Sequence, residues 1–345
     1  MAETVSIEVF LERSSSIPVI DVRSPAEFNQ AHYPFSINIP LLENEERRLV
    51  GTLYKKKSRE EAIRTGFEII AGKTSQLIEE GIRAAKNSQL LIYCWRGGMR
   101  SASVAWLFEQ NGIKCTLLSG GYKNYRKKIK EYFSSGLNIK ILGGMTGSGK
   151  TEILLQLKEH GVQVVDLEGI AHHKGSAFGS LGEDVQPTTE FFENLLFEEF
   201  IKLDKKKSIW LEDESKNIGR VYIPDELFSL MRKSPVYVIN IPKEKRIERL
   251  VIDYGKFSDQ LLIERIERIS KKIGGQNTKV AIEAIRDKNY DIAADLSLLY
   301  YDKAYSFGLE KRSGVQKHEV MCETHDSKKN AAKILKLIQE SGNNY

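Results

Sequence analysis

The stretch that decides the fold reads Ile139-Lys140-Ile141-Leu142-Gly143-Gly144-Met145-Thr146-Gly147-Ser148-Gly149-Lys150-Thr151. An apolar run of strand length enters a glycine-rich turn of the form Gly-x-x-x-x-Gly-Lys-Thr, and a helix-like pattern follows over residues 152–160. This is the P-loop pattern in its strand–loop–helix context, where backbone N–H groups and the helix dipole converge on one anion. The stretch therefore predicts an α/β unit that binds phosphate or diphosphate through a phosphate loop (residues 144–151), with contacts from Gly144, Gly147, Ser148, Gly149, Lys150 and Thr151.

Within the phosphate loop, Lys150 is expected to reach the terminal phosphates, and the Thr151 hydroxyl could bind Mg²⁺. The kind of phosphate ester stays open, because no segment of the chain matches a motif that reads a nucleotide base, and any diphosphate ester would satisfy the loop. Glu212-Asp213-Glu214 follows a strand-like segment and is either an acidic metal-binding strand end or an acidic turn. No tightly bound cofactor is expected.

A second loop of the same build, the cysteine loop (residues 94–101), reads Cys94-Trp95-Arg96-Gly97-Gly98-Met99-Arg100-Ser101. It lies between apolar residues 90–93 and a helix-like pattern over residues 103–110. A thiol at the tip of such a turn, surrounded by N–H groups and two arginines, is expected to have a lowered pKa. The thiolate would be a nucleophile and chalcogen acceptor, which makes Cys94, Arg96 and Arg100 the candidate catalytic residues. The alternative is a small buried cysteine without chemistry.

The composition limits the classes of protein to which this chain can belong. The chain has 345 residues, enough for two domains, and its 41% hydrophobic and 29% charged residues are typical of a globular protein. Its apolar runs are too short to span a bilayer and its first residues lack a signal-peptide pattern, so we expect a cytoplasmic protein without a membrane partner. The widely spaced Cys94, Cys115 and Cys322 argue against a disulfide framework or a structural zinc site. The net charge of +5 permits a nucleic-acid partner without requiring one.

Short strand-like and helix-like segments alternate over residues 1–134, which predicts a small parallel sheet, with a charged and mostly helical insertion at residues 45–88. A Ser-Ser-Gly break at residues 134–136 separates this domain from a second domain, residues 135–345. The second domain has further strand-like segments and is helical in pattern beyond Lys243. The predicted fold class is therefore α/β in both domains, with a helical C-terminal part in the second.

Two polar, glycine-rich stretches, residues 166–179 and 212–219, are longer than simple connections require. Long loops at the strand ends of an open α/β sheet are typical ligand sites, and a plain surface loop is the alternative. His172-His173 lack acidic or cysteine partners at metal spacing, so we expect phosphate or RNA contact there and not a zinc site. The two stretches supply these candidate ligand or RNA contacts: Glu168, His172, His173, Lys174, Asp213, Glu214, Ser215 and Lys216.

The basic residues fall into clusters, each of which is either a solvated face or a nucleic-acid patch. The best candidate is residues 123–128, because an aromatic side chain lies there among cations, where bases or phosphates could bind. Lys123, Tyr125 and Arg126 are therefore further candidate RNA contacts. Another cluster covers residues 243–249.

Together with other parts of the chain, the cysteine loop resembles a rhodanese domain. These parts are Asp21-Val22-Arg23-Ser24-Pro25-Ala26-Glu27-Phe28, His32, Asn38-Ile39-Pro40 and Ser119-Gly120-Gly121-Tyr122. A rhodanese carries sulfur as a persulfide on such a cysteine, and the resemblance makes Asp21 and Arg23 either structural residues or residues that support the site from behind. The loop departs from the commonest rhodanese spacing, because five residues separate Cys94 and Arg100. That spacing is also found in cysteine-dependent phosphatases and suits a ligand larger than one sulfur atom, such as a thiophosphate or selenophosphate.

The whole chain resembles the tRNA 2-selenouridine synthase family, in which a rhodanese domain is fused to a P-loop domain. The resemblance rests on the two loops, the two polar stretches and Gln186-Pro187, in this order. It implies a rhodanese-like parallel-sheet domain, a P-loop NTPase-like α/β domain with a helical C-terminal part, and replacement of sulfur by selenium at C2 of a wobble 2-thiouridine. It also implies selenophosphate as selenium donor, an S-geranyl intermediate made from geranyl diphosphate, the anticodon arm of tRNA as partner, and an upstream enzyme that supplies selenophosphate.

Under this resemblance the phosphate loop would hold the diphosphate of the prenyl donor. Cys94 would attack or accept selenium as a selenosulfide, while Arg96 and Arg100 hold the phosphate of selenophosphate. Three other functions stay open: a sulfurtransferase fused to an ATP-dependent kinase or ATPase, an RNA-binding adaptor, and a phosphatase. One further apolar set would either line a prenyl groove or form a helix core: Phe191, Phe192, Leu195, Leu196, Phe197 and Phe200.

Overall fold

The computed structural model describes residues 2–340. They form two compact units, of which the first contains the residues up to Tyr132 together with Glu193–Leu195, and the second contains Phe133–Phe192 and the residues from Leu196 onward. Each unit is built around a five-stranded sheet whose neighbouring strands are all parallel. No helix in this part of the chain is both long and apolar enough to cross a bilayer. The predicted α/β fold class is confirmed.

The first sheet has the strand order β1-β5-β4-β2-β3, so β4 lies in the middle, with Ile92 opposite Ile20 of β2 and Leu117 of β5. Apolar side chains on one face of the sheet, among them Ile20 and Ile92, pack with Val104 and Phe108 of α6 into a core. The elements in chain order are β1 (Glu3–Val5), α1 (Ile7–Ser14), β2 (Val19–Asp21), α2 (Pro25–Gln30), β3 (Ile37–Asn38), α3 (Asn44–Lys56), α4 (Arg59–Ala71), α5 (Thr74–Ala84), β4 (Gln89–Tyr93), α6 (Met99–Glu109), β5 (Lys114–Leu118) and α7 (Gly121–Phe133).

The predicted insertion is helical and consists of α3, α4 and α5. Ser58 begins α4 by accepting a hydrogen bond from the Glu61 N–H at 3.0 Å, which satisfies one of the unpaired donors of a helix start. Helix α2 begins in a similar way, with a capping box in which Ser24 and Glu27 each accept the other's backbone N–H. These local signals explain why the helices begin where they do.

The second sheet has the strand order β12-β11-β6-β8-β7, and β9 and β10 form a separate antiparallel pair. The phosphate loop follows the last residue of β6, the middle strand. It therefore lies at the carboxyl edge of the sheet, where open α/β folds bind ligands. The elements are β6 (Ile139–Gly144), α8 (Lys150–Glu159), β7 (Gln163–Val164), α9 (Leu167–Ala171), α10 (Thr189–Ile201), β8 (Ile209–Glu212), β9 (Asn217–Ile218), β10 (Val221–Tyr222), α11 (Asp225–Lys233), β11 (Val236–Asn240), α12 (Lys243–Tyr254), α13 (Asp259–Arg268), α14 (Ser270–Ile273), α15 (Gly275–Arg286), α16 (Tyr290–Glu310), β12 (Lys317–Met321) and α17 (Ser327–Glu340).

The C-terminal part is helical as predicted, from α12 to α16 and again in α17, but it also contains the unpredicted strand β12. This strand pairs in parallel with β11, with Lys317 opposite Val236. Of its five residues only Val320 is buried, so the segment lacks the apolar run or alternation that marks a strand. The segment forms a strand because it pairs with β11, which is distant from it in the chain.

Candidate functional site

The cysteine loop connects the end of β4 to the start of α6, so Cys94 lies where a buried strand meets a helix N-terminus. The residue is almost completely buried, with 3% of its surface exposed. The Gly98 N–H donates to Cys94 Sγ at 3.4 Å, and the Ser101 hydroxyl lies 3.3 Å from the same sulfur. The sulfur is therefore held by a backbone N–H donor and a hydroxyl group at the first turn of the helix.

Two glycines allow the cysteine loop to lie against the turn that follows β5. A Cβ on Gly121 would be 2.2 Å from the Cys94 carbonyl oxygen, and a Cβ on Gly97 would be 2.6 Å from the Leu118 carbonyl oxygen. The Tyr122 N–H completes the contact by donating to the Cys94 carbonyl oxygen at 2.9 Å. The segment from Ser119 to Tyr122 therefore supports the cysteine loop through backbone contacts that any larger side chain would prevent.

The pKa of the Cys94 thiol is lowered, and the predicted backbone N–H groups contribute to this shift, whereas the side chains of the two predicted arginines do not. Burial alone raises this pKa, and hydrogen bonds from the Ser101 hydroxyl and from backbone N–H groups of the loop outweigh that effect. The guanidinium groups of the two arginines are not among the main causes. Arg96 is exposed, and Arg100 Nη1 lies 2.9 Å from Glu27 Oε2. Ser101, to which the sequence pattern assigned no role, is therefore the main side chain that favours the thiolate.

Asp21 and Arg23 form a buried pair beneath the cysteine loop. Arg23 Nη2 lies 2.6 Å from Asp21 Oδ2, and the Tyr93 hydroxyl donates to the same oxygen at 2.7 Å. The guanidinium group also lies 3.9 Å from the centre of the Tyr122 ring. The pair thus joins β2, β4 and α7, which is the structural role that the rhodanese resemblance implied.

The phosphate loop follows β6 and ends where α8 begins at Lys150. Gly147 and Gly149 have φ angles of 83° and 71°, a backbone conformation that favours glycine. Lys150 Nζ donates to the Gly144 carbonyl oxygen at 3.2 Å, so the ammonium group lies against the loop that would hold the anion. The buried Ser148 hydroxyl has no hydrogen-bond partner within residues 2–340, and a bound anion would supply one.

Helix α12 contributes an arginine that positions the phosphate loop. Arg246 Nη1 donates to the Thr146 carbonyl oxygen at 3.1 Å. The same guanidinium group is held by the Asp302 carboxylate of α16 through two contacts of 2.8 Å each. A bidentate pair of this kind fixes the arginine in one orientation, and so fixes the carbonyl that it contacts.

A second arginine of α12 lies close to the start of α8. A Cβ on Gly149 would be 2.7 Å from Arg249 Nη1, and Arg249 also forms ion pairs with Glu152 and Asp253. Both arginines belong to the basic cluster at residues 243–249, which the sequence pattern marked only as a charged surface or RNA patch. The structure places part of that cluster at the phosphate loop.

Three carboxyl groups lie in this region: Glu168, which is partly buried and contacts α8, and the buried Glu212 and Glu214. The Thr151 hydroxyl donates to Glu168 Oε2 at 3.0 Å. Burial raises the pKa of all three, well above the usual value for Glu212 and Glu214, and the neighbouring Glu168 raises that of Glu214 further while Lys150 opposes the rise. These carboxyl groups therefore retain protons to higher pH than ordinary glutamates do.

The residues near Thr151 fit a Mg²⁺ ion only together with a ligand. Within residues 2–340, no group of three or more His, Cys, Asp or Glu side chains is arranged to hold a metal. The Thr151 hydroxyl and Glu168 could each supply one oxygen, and a bound diphosphate would supply the others, which is a common arrangement for Mg²⁺. The chain thus offers partners for a metal that arrives with the diphosphate.

The two polar stretches meet at Gln186. Its Nε2 donates to the carbonyl oxygens of Ala171 at 2.9 Å and Ile218 at 3.0 Å, and its Oε1 accepts the Arg220 N–H at 2.9 Å. His173, another candidate contact, is buried here, and burial lowers its pKa. Gln186 therefore links the two polar stretches through hydrogen bonds. This role is consistent with its place in the family resemblance, which included Gln186-Pro187.

The remaining candidates of these stretches each contact another protein group, whereas Glu168 and Glu214 face the phosphate loop. These contacts are His172 Nδ1 with the Val185 carbonyl oxygen at 3.0 Å, Lys174 with Glu183 at 3.2 Å, Asp213 with Arg312, Ser215 Oγ with the Asn217 carbonyl oxygen at 2.8 Å, and Lys216 with Asp225.

The candidate RNA patch lies on α7, and one of its residues is not available. Lys123 is exposed and Arg126 is partly buried. Tyr125 is only 1% exposed, and its ring centre lies 5.3 Å from that of Tyr33 and 6.0 Å from that of Tyr122. Tyr125 is therefore not accessible as the candidate RNA contact, because this position of the helix faces the core of the first unit.

Comparisons with known proteins match the parts of the chain that contain both loops. The family model described as tRNA 2-selenouridine synthase AAA domain matches residues 137–335, and the one described as Rhodanese-like domain matches residues 6–128. A tRNA 2-selenouridine synthase of Sulfurovum sp. (strain NBC37-1) is 34% identical, with 87% of this chain and 90% of that protein covered. Proteins of the same name from Shewanella pealeana (strain ATCC 700345 / ANG-SQ1) and Pseudomonas fluorescens (strain Pf0-1) are also 34% identical, with 86% of this chain and 90% and 89% of their own length covered. This chain belongs to the tRNA 2-selenouridine synthase family.

Proposed function

We propose that this protein replaces the C2 sulfur of a wobble 2-thiouridine in tRNA by selenium, with selenophosphate as selenium donor and an S-geranyl intermediate made from geranyl diphosphate. The observation that carries the proposal is the presence, on one chain, of a Cys94 thiol with lowered pKa and a complete phosphate loop with Lys150. The names of relatives that are 34% identical support the overall reaction.

The first step is assigned to the phosphate loop. The thiouridine sulfur attacks C1 of geranyl diphosphate, the C–O bond breaks, and diphosphate leaves with the bonding electrons. Lys150 and the loop N–H groups stabilise the charge on the departing diphosphate, which is the type of contribution that dominates at many such sites. A Mg²⁺ held by Thr151 and Glu168 would supply further neutralisation of that charge. Alkylation is useful because it turns the sulfur at C2 into a thiol leaving group.

The second step is assigned to the cysteine loop. Selenium of selenophosphate attacks C2, and geranylthiol leaves. A selenosulfide on Cys94 would require a two-electron oxidant, because selenophosphate carries its selenium in reduced form. An electron-balanced alternative is attack of the Cys94 thiolate on phosphorus, which breaks the P–Se bond, leaves selenium on C2 and passes the phosphoryl group first to sulfur and then to water. The five-residue spacing between Cys94 and Arg100, shared with cysteine-dependent phosphatases, supports this role.

The proposal is tested with Cys94→Ala, because the two steps are assigned to different loops. The variant is incubated with a 2-thiouridine anticodon stem-loop, geranyl diphosphate and selenophosphate, and the nucleosides are measured by mass spectrometry. We expect S-geranyl-2-thiouridine to accumulate while 2-selenouridine is absent.

The matched control is Cys115→Ala. Burial raises the pKa of the Cys115 thiol to about 12, so this cysteine is inert at neutral pH and its loss should leave both products in place. Loss of both steps in a folded Cys94→Ala protein would contradict the division of labour. Rapid ATP hydrolysis without RNA by the unmodified protein would instead favour a sulfurtransferase fused to an ATPase.

A further inference from the structure

An apolar cavity lies in the second unit, beside the phosphate loop. Its wall is mostly apolar and includes Leu250, Leu262 and Ile285, which is the kind of lining typical of small-molecule sites. Thr146 of the phosphate loop forms part of its wall, and the rest comes from the polar stretch at residues 166–179 and from helices α12, α13, α15 and α16. The phosphate loop and the cavity therefore share a boundary.

Helix α12 serves both the phosphate loop and the cavity. Arg246 and Arg249 lie against the loop, whereas Leu250 and Tyr254, at the end of the same helix, line the cavity. Leu250 reaches both, since a Cβ on Gly147 would lie 3.2 Å from Leu250 Cγ. A molecule whose phosphates occupy the loop would meet apolar surface directly next to this anchor.

Three hydroxyl groups in the cavity wall, those of Tyr290, Ser297 and Tyr301, are already engaged within the protein. Ser297 Oγ donates to a backbone carbonyl of its own helix at 2.8 Å, and the Tyr290 hydroxyl donates to Asp259 Oδ1 at 2.9 Å. The Tyr301 hydroxyl accepts a backbone N–H of Ala177 at 2.9 Å. A nucleoside would leave polar atoms of its base and ribose without partners here, whereas a hydrocarbon chain requires none.

The space itself results from small residues on α16. Ala293, Ala294 and Ser297 lie within about one turn of the helix, and all three line the cavity. The aromatic cluster that the sequence offered as an alternative prenyl groove is not part of this wall. Its members Phe192, Leu196, Phe197 and Phe200 on α10 are fully buried and form a helix core.

We infer that this cavity binds the isoprenoid chain of a prenyl diphosphate whose phosphates occupy the phosphate loop. The inference rests on the proposed function for the identity of the diphosphate ester, and it deepens that proposal by assigning the hydrocarbon chain a binding site. The cavity then selects an apolar chain over a nucleoside, so the phosphate loop serves prenyl transfer and not nucleotide hydrolysis.

The test is Ala294→Phe in the full-length protein, because a phenyl ring at this position fills space that the chain would occupy. The dissociation constants of geranyl diphosphate and of inorganic diphosphate are measured by calorimetry. We expect unmodified protein to bind geranyl diphosphate more tightly than inorganic diphosphate. The variant should bind geranyl diphosphate at least about tenfold more weakly, whereas its dissociation constant for inorganic diphosphate should change by less than about twofold.

The matched control is Ala304→Phe, which places the same ring on an exposed position of the same helix and should change neither constant. Unchanged binding of geranyl diphosphate by Ala294→Phe would overturn the cavity assignment and leave the proposed function intact. If the unmodified protein binds geranyl diphosphate no more tightly than inorganic diphosphate, the proposed donor fails, and the cavity assignment fails with it.

A second measurement does not depend on a variant that folds. Unmodified protein is irradiated with a geranyl diphosphate analogue that carries a diazirine at the end of its chain, and the labelled peptides are identified by mass spectrometry. Label on α12 or α16 that inorganic diphosphate reduces by competition supports the assignment. Label confined to peptides that do not line the cavity contradicts it.

Discussion

The cysteine loop and the phosphate loop share one backbone plan and differ in their electrostatics. Each follows a strand of a parallel sheet, turns through at least one glycine with positive φ and opens into a helix. In the cysteine loop the charge to be stabilised belongs to the protein, and N–H groups with Ser101 hold it while Arg100 is paired with Glu27. In the phosphate loop the charge belongs to a ligand, and Lys150 is the cation that meets it.

The difference shows that the backbone of each loop forms an anion site. The side chains then determine whether this anion is the thiolate of the protein or the phosphate of a ligand. Carboxyl groups beside a phosphate site would repel the ligand if they were ionised. Burial raises the pKa of Glu168 and Glu214, which weakens their tendency to ionise beside Lys150. Near Cys94 the carboxylate of Glu27 acts differently, because it engages an arginine and leaves the thiolate to neutral donors.

The largest expected effect separates the two loops by function. Lys150→Ala should reduce the rate of S-geranylation by about 10²–10³-fold, because it removes the main cation that stabilises the departing diphosphate. Selenation of RNA that already carries S-geranyl-2-thiouridine should be unchanged, as measured by mass spectrometry of nucleosides. Lys158→Ala, which changes an exposed lysine on the same helix, is the control. An equal loss of selenation would mean that the two loops do not work separately.

A smaller effect concerns the pKa of the Cys94 thiol in the cysteine loop. Ser101→Ala should raise the pKa of the Cys94 thiol, because it removes the hydroxyl that lies 3.3 Å from the sulfur. At neutral pH less thiolate is then present, and the rate of selenation should fall about tenfold and recover as the pH is increased. Thiolate absorbance in the ultraviolet, followed against pH, measures the shift directly. Ser103→Ala serves as control, and an unshifted titration curve would show that the backbone donors suffice.

The smallest effect concerns stability and the Arg100–Glu27 pair. Burial raises the pKa of Glu27, but Arg100 and the Ser24 N–H lower it more, so the net shift is downward. The pair therefore stabilises the fold above the usual glutamate pKa of about 4.3, and this contribution is lost as the pH falls through the lowered value. Glu27→Gln should cost about 1 kcal/mol in urea unfolding at neutral pH, and the difference should disappear on acidification.

Glu45→Gln provides the comparison for this last measurement. Glu45 pairs with Arg48, and both side chains are about three-quarters exposed (78% and 74%), so water screens the pair and its loss should change stability very little. If the two substitutions had equal effects at neutral pH, the Glu27 carboxylate would not hold Arg100 in any energetically significant way. The claim that this arginine is diverted from the thiol would then fail.

Much of the fold was predictable because its signals are local. The two strand–loop–helix units and the helical insertion each show apolar periodicity and glycine positions within a short stretch of chain. Strand β12 gave no such signal, since Val320 is its only buried residue and its identity depends on β11. Tyr125 was misjudged for a similar reason, because only the contacts with Tyr33 and Tyr122 reveal which face of α7 is buried.

The sequence by itself determined that the chain has two parallel α/β units and where each anion loop lies, because glycine conformation, strand patterns and helix starts are properties of neighbouring residues. Tertiary structure alone decided which side chains complete those loops. Arg100 meets a carboxylate 73 positions away, Arg246 meets a carbonyl 100 positions away, and the apolar cavity is assembled from helices spread over the C-terminal part. Such contacts depend on how distant segments pack. The residues next to a side chain in the sequence do not indicate which distant residue it will contact.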